Sequence, residues 1–469
     1  MMPLLAELAV LLSPLLVSGS SDPAPLALHL SAKQLSNKTQ SVTDLPSPSP
    51  AQAKFSWLGC LELTASGEHA SLFGGLSGAY LHGSRMIAVS DTTKLNKPPW
   101  WGAGRLFRID LQLEQAKGLK GTPTILPVGV KSASVQCLRD RFGKELVNNK
   151  QYGDTESVAV EWPHDMFVGI ERTHVLRHYK FQASPSGDEL KLGTPEILGG
   201  NPDDLTNLTG VGAELSKCKD GGGNHGAEAV TAMPNGDIVV FCEHNLPGST
   251  SSQTVGWLAD RDTGAIKGTY TLPLPELEGS HGTFFRISGA DAVPGTSDIL
   301  VLFHYWSGPT GNFIKVARST IAEDKTGDAS KPIILEPTVL LELKEKDGFP
   351  MDNWESIIVE AIPEYKGSYV VHLLSDDNFN PAHQRTLLFS MHMQETEGAD
   401  DIAQKYSKDM LGWQVSKLVY ERAFQSIGLA IALTLVALGL KRFRSRQSFA
   451  LYGHLHTPAG AEDGKLLLS

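Results

Sequence analysis

Acidic side chains recur at matching places along this 469-residue chain. Glu156, Glu228 and Glu355 each open a short apolar run, and Glu171, Glu243 and the Asp376-Asp377 pair each close the run that follows. Asp91, Asp154 and Asp352 fall at related points, with Asn224, Asn353 and Asn378 beside them. If one run leads away from a face and the next returns to it, Glu156 meets Glu171, Glu228 meets Glu243, and Glu355 meets Asp376 and Asp377. Two carboxylates about 5 Å apart repel by roughly 3 kcal/mol at an effective dielectric near 20. A bound cation, an arginine or a retained proton relieves such a pair. Hard oxygen donors favour Ca2+ or Mg2+ over a soft metal. Asp154, Glu156, Glu171, Glu243, Asp352, Asp376 and Asp377 are therefore the candidate metal ligands, with Ca2+ the expected ion. A metal held this way polarises an ester oxygen and acidifies a bound water. Glu228 or Glu355 is then the candidate base for the water's proton, and Arg172, Arg385 and His174 the candidates to neutralise the developing anion. The structural alternative is that the acids cap strand ends and pair with Arg172, Arg286 and Arg385.

The elements that carry these residues repeat. The phrase is a small or acidic residue, an apolar strand, a turn, a second apolar strand and often a carboxylate. It occupies 77–91, 156–171, 228–243, 288–303 and 355–376, at intervals of roughly 60 to 80 residues, a spacing that signals a repeat architecture. A third, alternating strand follows each copy, at 105–109, 174–179, 255–258, 313–317 and 386–390. A fourth apolar stretch often precedes the next copy, at 124–126, 195–198 and 332–335. Four antiparallel strands per unit around a circle make a β-propeller. A parallel α/β fold needs helical crossovers that these units lack. The expectation is an all-β propeller of five recognisable repeats and five to six blades. A degenerate sixth blade has room near 131–151, and the stretch 54–63 is placed to close the ring with the last blade.

The same residues carry a family resemblance. Glu171-Arg172-Thr173-His174-Val175-Leu176-Arg177-His178-Tyr179 resembles the Glu-Arg-x-His-x-x-x-x-Tyr stretch of the phytase-like family, whose domain is labelled "esterase-like activity of phytase". Asn224-His225-Gly226-Ala227-Glu228-Ala229 is similar to its Asn-x-Gly-x-Glu-Ala, and Asp352-Asn353-Trp354-Glu355-Ser356 to its Asn-x-Glu step. The run from Ser375 through Asp376, Asp377, Asn378, Phe379, Asn380 and Pro381 to Arg385 is the most specific piece. The resemblance covers about 74–393 and implies a β-propeller with ester or phosphoester hydrolysis. Two departures stand out. The Asp-Ala-Ala-Asp-Asp-Pro run of the alkaline β-propeller phytases is absent, and Leu302-Phe303-His304-Tyr305 stands where relatives show Leu-Glu-Arg.

Lys plus Arg number 41 against 52 Asp plus Glu, a net charge of −11, with no clustered basic face; nucleic acid is not an expected partner. Residues 1–20 read as a signal peptide and the Ser- and Pro-rich 21–53 as a flexible linker before the propeller domain at 54–396. After a juxtamembrane segment at 397–423, residues 424–440 are uncharged and apolar, and a basic cluster opens the tail at 441–469. That is the pattern of a membrane helix with a cytoplasmic tail. The expectation is a single-pass type I membrane protein whose propeller is extracellular or lumenal. Cys60, Cys137, Cys218 and Cys242 allow three pairings in an oxidising compartment. Asn37 and Asn207 head glycosylation sequons. The Gly-rich run 221–226 precedes a strand, so it is not a dinucleotide loop, and Ser77 lacks the spacing of a nucleophile elbow. Two functions remain: a metal-assisted hydrolase of a small phosphate or carboxyl ester, and a non-catalytic, membrane-tethered binding propeller with an acidic mouth.

Overall fold

The computed structural model describes residues 25–396 with breaks at 36–43, 50–51, 92–103, 116–123, 147–152, 184–189, 201–206, 219–225, 244–251, 308–310, 323–330, 364 and 381. The signal peptide expected at 1–20, the membrane helix at 424–440, its flanking segments, and the sequon at Asn37 lie outside the described residues. Among the described residues no helix is long and apolar enough to cross a membrane.

Two strands, β1 (Leu26–Gln34) and β2 (Ala53–Ser66), precede a succession of antiparallel units. Blade one is β3 (Leu76–His82), β4 (Arg85–Ser90), β5 (Arg105–Gln115) and β6 (Ile125–Cys137). Blade two is β7 (Thr155–Glu161), β8 (Asp165–Ile170) and β9 (Val175–Ala183), with the short β10 (Leu190–Leu192) and β11 (Glu196–Ile197) both on β9. A short helix α1 (Gly210–Leu215) leads to blade three: β12 (Ala227–Ala232), β13 (Ile238–Cys242), β14 (Gln253–Ala259) and β15 (Ile266–Pro273). Blade four begins with β16 (Arg286–Ala292), β17 (Asp298–Ser307) and β18 (Gly311–Thr320). The two-residue β19 (Ile333–Ile334) goes back to lie parallel to β15, and β20 (Thr338–Lys344) completes blade four. Blade five is β21 (Asn353–Ala361), β22 (Ser368–Asp376) and β23 (Thr386–Glu395), and its fourth strand is β2 from the other end of the domain. The first strands β3, β7, β12, β16 and β21 pack one against the next and back to β3, so five blades surround an axis.

Three expectations change. The stretch at 332–335 is not the fourth strand of its own repeat; it pairs with blade three, and 338–344 takes that place. The segment 131–137 belongs to β6, so no sixth blade is found there among the described residues. The expected linker at 21–53 contains β1, which pairs with both β2 and β6 and joins the first and last blades edge to edge. Its alternation is the reason: Leu26, Leu28, Leu30 and Ala32 face the core between those blades, while polar residues face out. A single disulfide forms, Cys218–Cys242, and Cys60 and Cys137 are free and buried.

The second strands are predominantly apolar because each sits mid-blade with a neighbouring blade on either face. Phe167 and Val168 of β8, Val239 and Val240 of β13, and Leu300 and Val301 of β17 are all fully buried. Hydrophobic clusters fill the five blade-to-blade contacts, for example Trp354 and Phe389 against Leu302 and Val316, or Phe241 and Tyr270 against Ile287 and Phe303. Around the axis there is no room for such side chains. A Cβ on Gly78 would lie 2.7 Å from the backbone nitrogen of Val158. Small hydroxyl residues stitch the gaps: Ser157 Oγ donates to the Ala227 carbonyl at 2.7 Å, and Ser356 Oγ accepts from the Ala79 amide at 2.9 Å.

Asp291 ties three blades together. It accepts the Thr231 hydroxyl from blade three at 3.0 Å and the Val359 amide from blade five at 2.8 Å. Burial nevertheless pushes its carboxyl up to about 7. Asp291→Ala is expected to lower stability in urea unfolding by about 1–3 kcal/mol, since it strands buried donors. Asp291→Asn keeps one oxygen acceptor and should cost less; equal losses would show that these hydrogen bonds do not hold the blades.

Candidate functional site

The pairing of first and second strands slips by one residue at the same place in every blade. The slips fall between Leu76 and Gly78, Thr155 and Ser157, Ala227 and Ala229, Ile287 and Gly289, and Trp354 and Ser356. Each is a β-bulge, which leaves one residue out of the ladder and re-aims its side chain. The bulged residues are Ser77, Glu156, Glu228, Ser288 and Glu355. On each second strand, one residue beyond the partner of the residue that precedes the bulge, stand Asp91, Glu171, Glu243, His304 and Asp376. The repeated bulge therefore delivers two side chains per blade to one end of the axis.

An oxygen from each of Asp154, Glu156 and Glu171 lies within 4.8 Å of the others, and so does one from each of Glu171, Glu228 and Glu243. Glu171 belongs to both groups. Burial pushes its carboxyl up to about 8, with repulsion from Asp154 and Glu243 adding to it. Asp91, Glu156, Glu228 and Glu355 are held well above the usual carboxylate range, first by burial and then by the negative charges around them. Asp376 is pushed up to about 7 by burial, against the help of the Asn378 amide at 2.7 Å. Glu228 Oε2 is sealed from solvent with no hydrogen-bond partner.

Those observations fit a hard cation. The donors are all oxygen, and ligands about 2.4 Å from a shared Ca2+ can span the observed separation. The orphaned Glu228 oxygen, in the second group, supplies the vacant lone pairs such an ion needs. Asp154, Glu156, Glu171, Glu228 and Glu243 are the residues placed to hold it.

The other candidates are spent differently. Asp377 accepts the Gly75 and Phe379 amides, each at 3.0 Å, and the Thr386 hydroxyl at 3.2 Å, fastening the loop before blade one to blade five. Gly75 is obligatory in that loop: its φ is +64°, and a Cβ would lie 2.2 Å from Asp91 Oδ1. Asp352 accepts the Asn353 and Arg385 amides, with the Arg385 guanidinium 3.7 Å away, so neither aspartate joins the acid groups. Arg172 is ion-paired with Asp154, and His174, buried at φ +52°, closes the turn from Glu171. Asn224 lies outside the described residues.

A cavity of about 520 Å³ opens beside the acids, over blades three to five. Glu228, Glu243 and Glu355 form its acidic side. Arg286, 3.2 Å from Glu243 Oε1 with its side chain 58% exposed, is the cation on the wall. His304, Ser288, Tyr305 and Trp306 complete blade four's contribution. Burial pushes His304 down to about 4, so it is neutral at pH 7. Sequence reasoning named Arg286 only as a structural partner and did not find the cavity. Arg286 and Ser288 lie close together on β16 but serve no motif, and only the strand register brings His304 of β17 to them. Arg105 was also missed as a site residue: fully buried, it donates to the Leu72 carbonyl at 2.7 Å and faces the negative charge of Asp91.

The raised carboxyls set a pH dependence. Folded carboxyls that titrate near 7 to 8 bind protons more tightly than unfolded ones that titrate near 4, so the folded state carries more protons in between and stability falls as pH rises. In chelator, the unfolding free energy is expected to decline from about pH 4 to about pH 8, and Ca2+ should flatten the decline. Stability in chelator that stays level or climbs between pH 5 and pH 8 contradicts this charge arrangement.

Among solved structures, an endo-arabinase from Bacteroides thetaiotaomicron is 13% identical, with 68% of this chain and 94% of that chain covered at a TM-score of 0.33. An exo-1,5-alpha-L-arabinanase from a bovine ruminal metagenomic library is 10% identical, covering 67% and 90% at a TM-score of 0.34. A glucose dehydrogenase is 12% identical, covering 76% and 98% at a TM-score of 0.31. Likenesses this distant carry no argument about this chain. No curated protein sequence matches it. The family model described as phytase-like, "esterase-like activity of phytase", matches residues 71–379, which span the bulged strands and the acids between them, and the chain belongs to that family.

Proposed function

We propose that the protein is a metal-assisted hydrolase of phosphate esters or related small esters, working at the acidic end of the propeller axis. The observation that carries the reading is the conjunction at one cavity of an orphaned buried carboxylate, Glu228, with further acids and an exposed arginine. A bound Ca2+ would supply polarisation of the ester oxygen and a more acidic water. Glu228, kept basic by burial and by neighbouring charge, would bind the ion through one carboxylate oxygen and take a proton from that water with the other. Glu355 lines the same cavity and is the second candidate. Arg286 supplies the positive charge to orient the substrate anion, the role first read for Arg172 and Arg385, whose guanidiniums lie beside other carboxylates. The single-pass membrane anchor, the extracellular or lumenal placement of the propeller and its glycosylation belong to this proposal and rest on sequence alone.

A second reading, a binding propeller without chemistry, has one observation in its favour. Blade four offers Ser288 and His304 where blades two, three and five offer two acids, so the ring of carboxylates is incomplete. Assays of the full-length protein on phosphomonoesters and carboxyl esters separate the two. The hydrolase reading expects turnover in Ca2+, none in chelator, and a fall in kcat of about 10²–10⁴ in Glu228→Gln. Tight Ca2+ binding with no turnover of any ester supports the binding propeller instead.

A further inference from the structure

We propose that blade four makes its side of the cavity a specificity pocket for a flat, uncharged ring with a polar substituent, so that the preferred ligand is a singly phosphorylated ring compound rather than a polyphosphate. The inference deepens the hydrolase reading and rests on it only for the position of the phosphate beside Arg286.

The blade is the exception in an otherwise acidic ring. Its bulge is Ser288, and the place that holds an acid on the other second strands is taken by His304, whose Nε2 sits 3.0 Å from Asn312 Oδ1. Ser288 is only 5% exposed, lines the cavity, and its Oγ has no hydrogen-bond partner. A buried hydroxyl without a partner costs free energy that a polar atom of a ligand recovers. Trp306 is 63% exposed at the cavity wall, whereas Trp257 and Trp354 are fully buried in blade contacts and Trp57 and Trp162 are half-buried. Tyr305 and Phe284 continue that wall. An exposed indole beside a polar floor offers a ring both a stacking face and an anchor at its edge.

Charge limits what the ring can carry. The cavity sets Arg286 against Glu228, Glu243 and Glu355, and the remaining wall is aromatic or neutral. One phosphate has a place near Arg286 and a cation held by the acids. Further phosphates on the same ring face Ser288, His304 and the aromatic wall, where nothing compensates their desolvation.

Binding of non-hydrolysable phosphonates to the full-length protein in Ca2+, followed by calorimetry, tests this without requiring turnover. 4-Hydroxybenzylphosphonate is expected to bind about tenfold more tightly than methylphosphonate, the upper range for one aromatic contact. Trp306→Ala should bring that ratio near one, and Ser288→Ala should erase the advantage of 4-hydroxybenzyl- over benzylphosphonate. Equal affinities for the aryl and methyl probes, equal weakening of both in Trp306→Ala, binding of neither, or tighter binding of inositol hexakisphosphate each overturn the proposal. A ring preference without ester turnover upholds the pocket and removes the hydrolase; turnover without a ring preference removes the pocket alone.

Discussion

The constraint on which the rest of this structure depends is the crowding of five first strands around one axis. Backbone approaches backbone so closely there that Gly78 and Gly289 cannot carry a Cβ without touching the neighbouring strand. Apolar side chains are therefore expelled to the faces between blades, where they form separate clusters rather than one central core. What remains near the axis is small, polar and hydrogen-bonded across blades. A bulge repeated in every first strand then turns one residue per blade out of the ladder, and in three blades that residue is glutamate.

This geometry makes repulsion unavoidable, because the residue facing each of those glutamates is also an acid. The described arginines at this end do not balance them. Arg172 is matched to Asp154, Arg385 lies beside Asp352, and only Arg286 reaches into the cavity. The blades can hold such a cluster because the five apolar contacts around it supply the folding free energy. Destabilised charge at an otherwise well-packed axis is the kind of local conflict that marks a functional site rather than a folding device.

Much of this was legible in the chain. The two apolar runs of each repeat mark the first and second strands because both are dictated by burial, and the closing role of 54–63 follows from its being a strand with no partner of its own. The pairing of Glu156 with Glu171 and of Glu228 with Glu243 needed only the assumption of a hairpin. Three things were not legible. The short β19 resembles a fourth strand locally, and only its distance from β18 sends it to another blade. The segment 26–34 has strand alternation, but its Ser- and Pro-rich surroundings mask it. Asp352 and Asp377 look like ligands by composition, yet their oxygens are taken by backbone amides of loops whose conformation no residue pattern announces. The cavity escaped for a related reason: blade four's neutral residues are informative only by contrast with the acids that register places beside them.

The central claim is that raised, partly protonated carboxyls form a site for a hard divalent ion. A cation that displaces protons from its ligands leaves a calorimetric signature, since the apparent binding enthalpy then varies with the ionisation enthalpy of the buffer. Titration of the full-length protein with Ca2+ at pH 7, in two buffers of different ionisation enthalpy, is the direct measurement. The account predicts saturable binding with release of about one proton or more per ion, diminished in Glu171→Gln because Glu171 serves both acid groups. Absence of Ca2+ binding, or binding whose enthalpy is the same in both buffers, would contradict it.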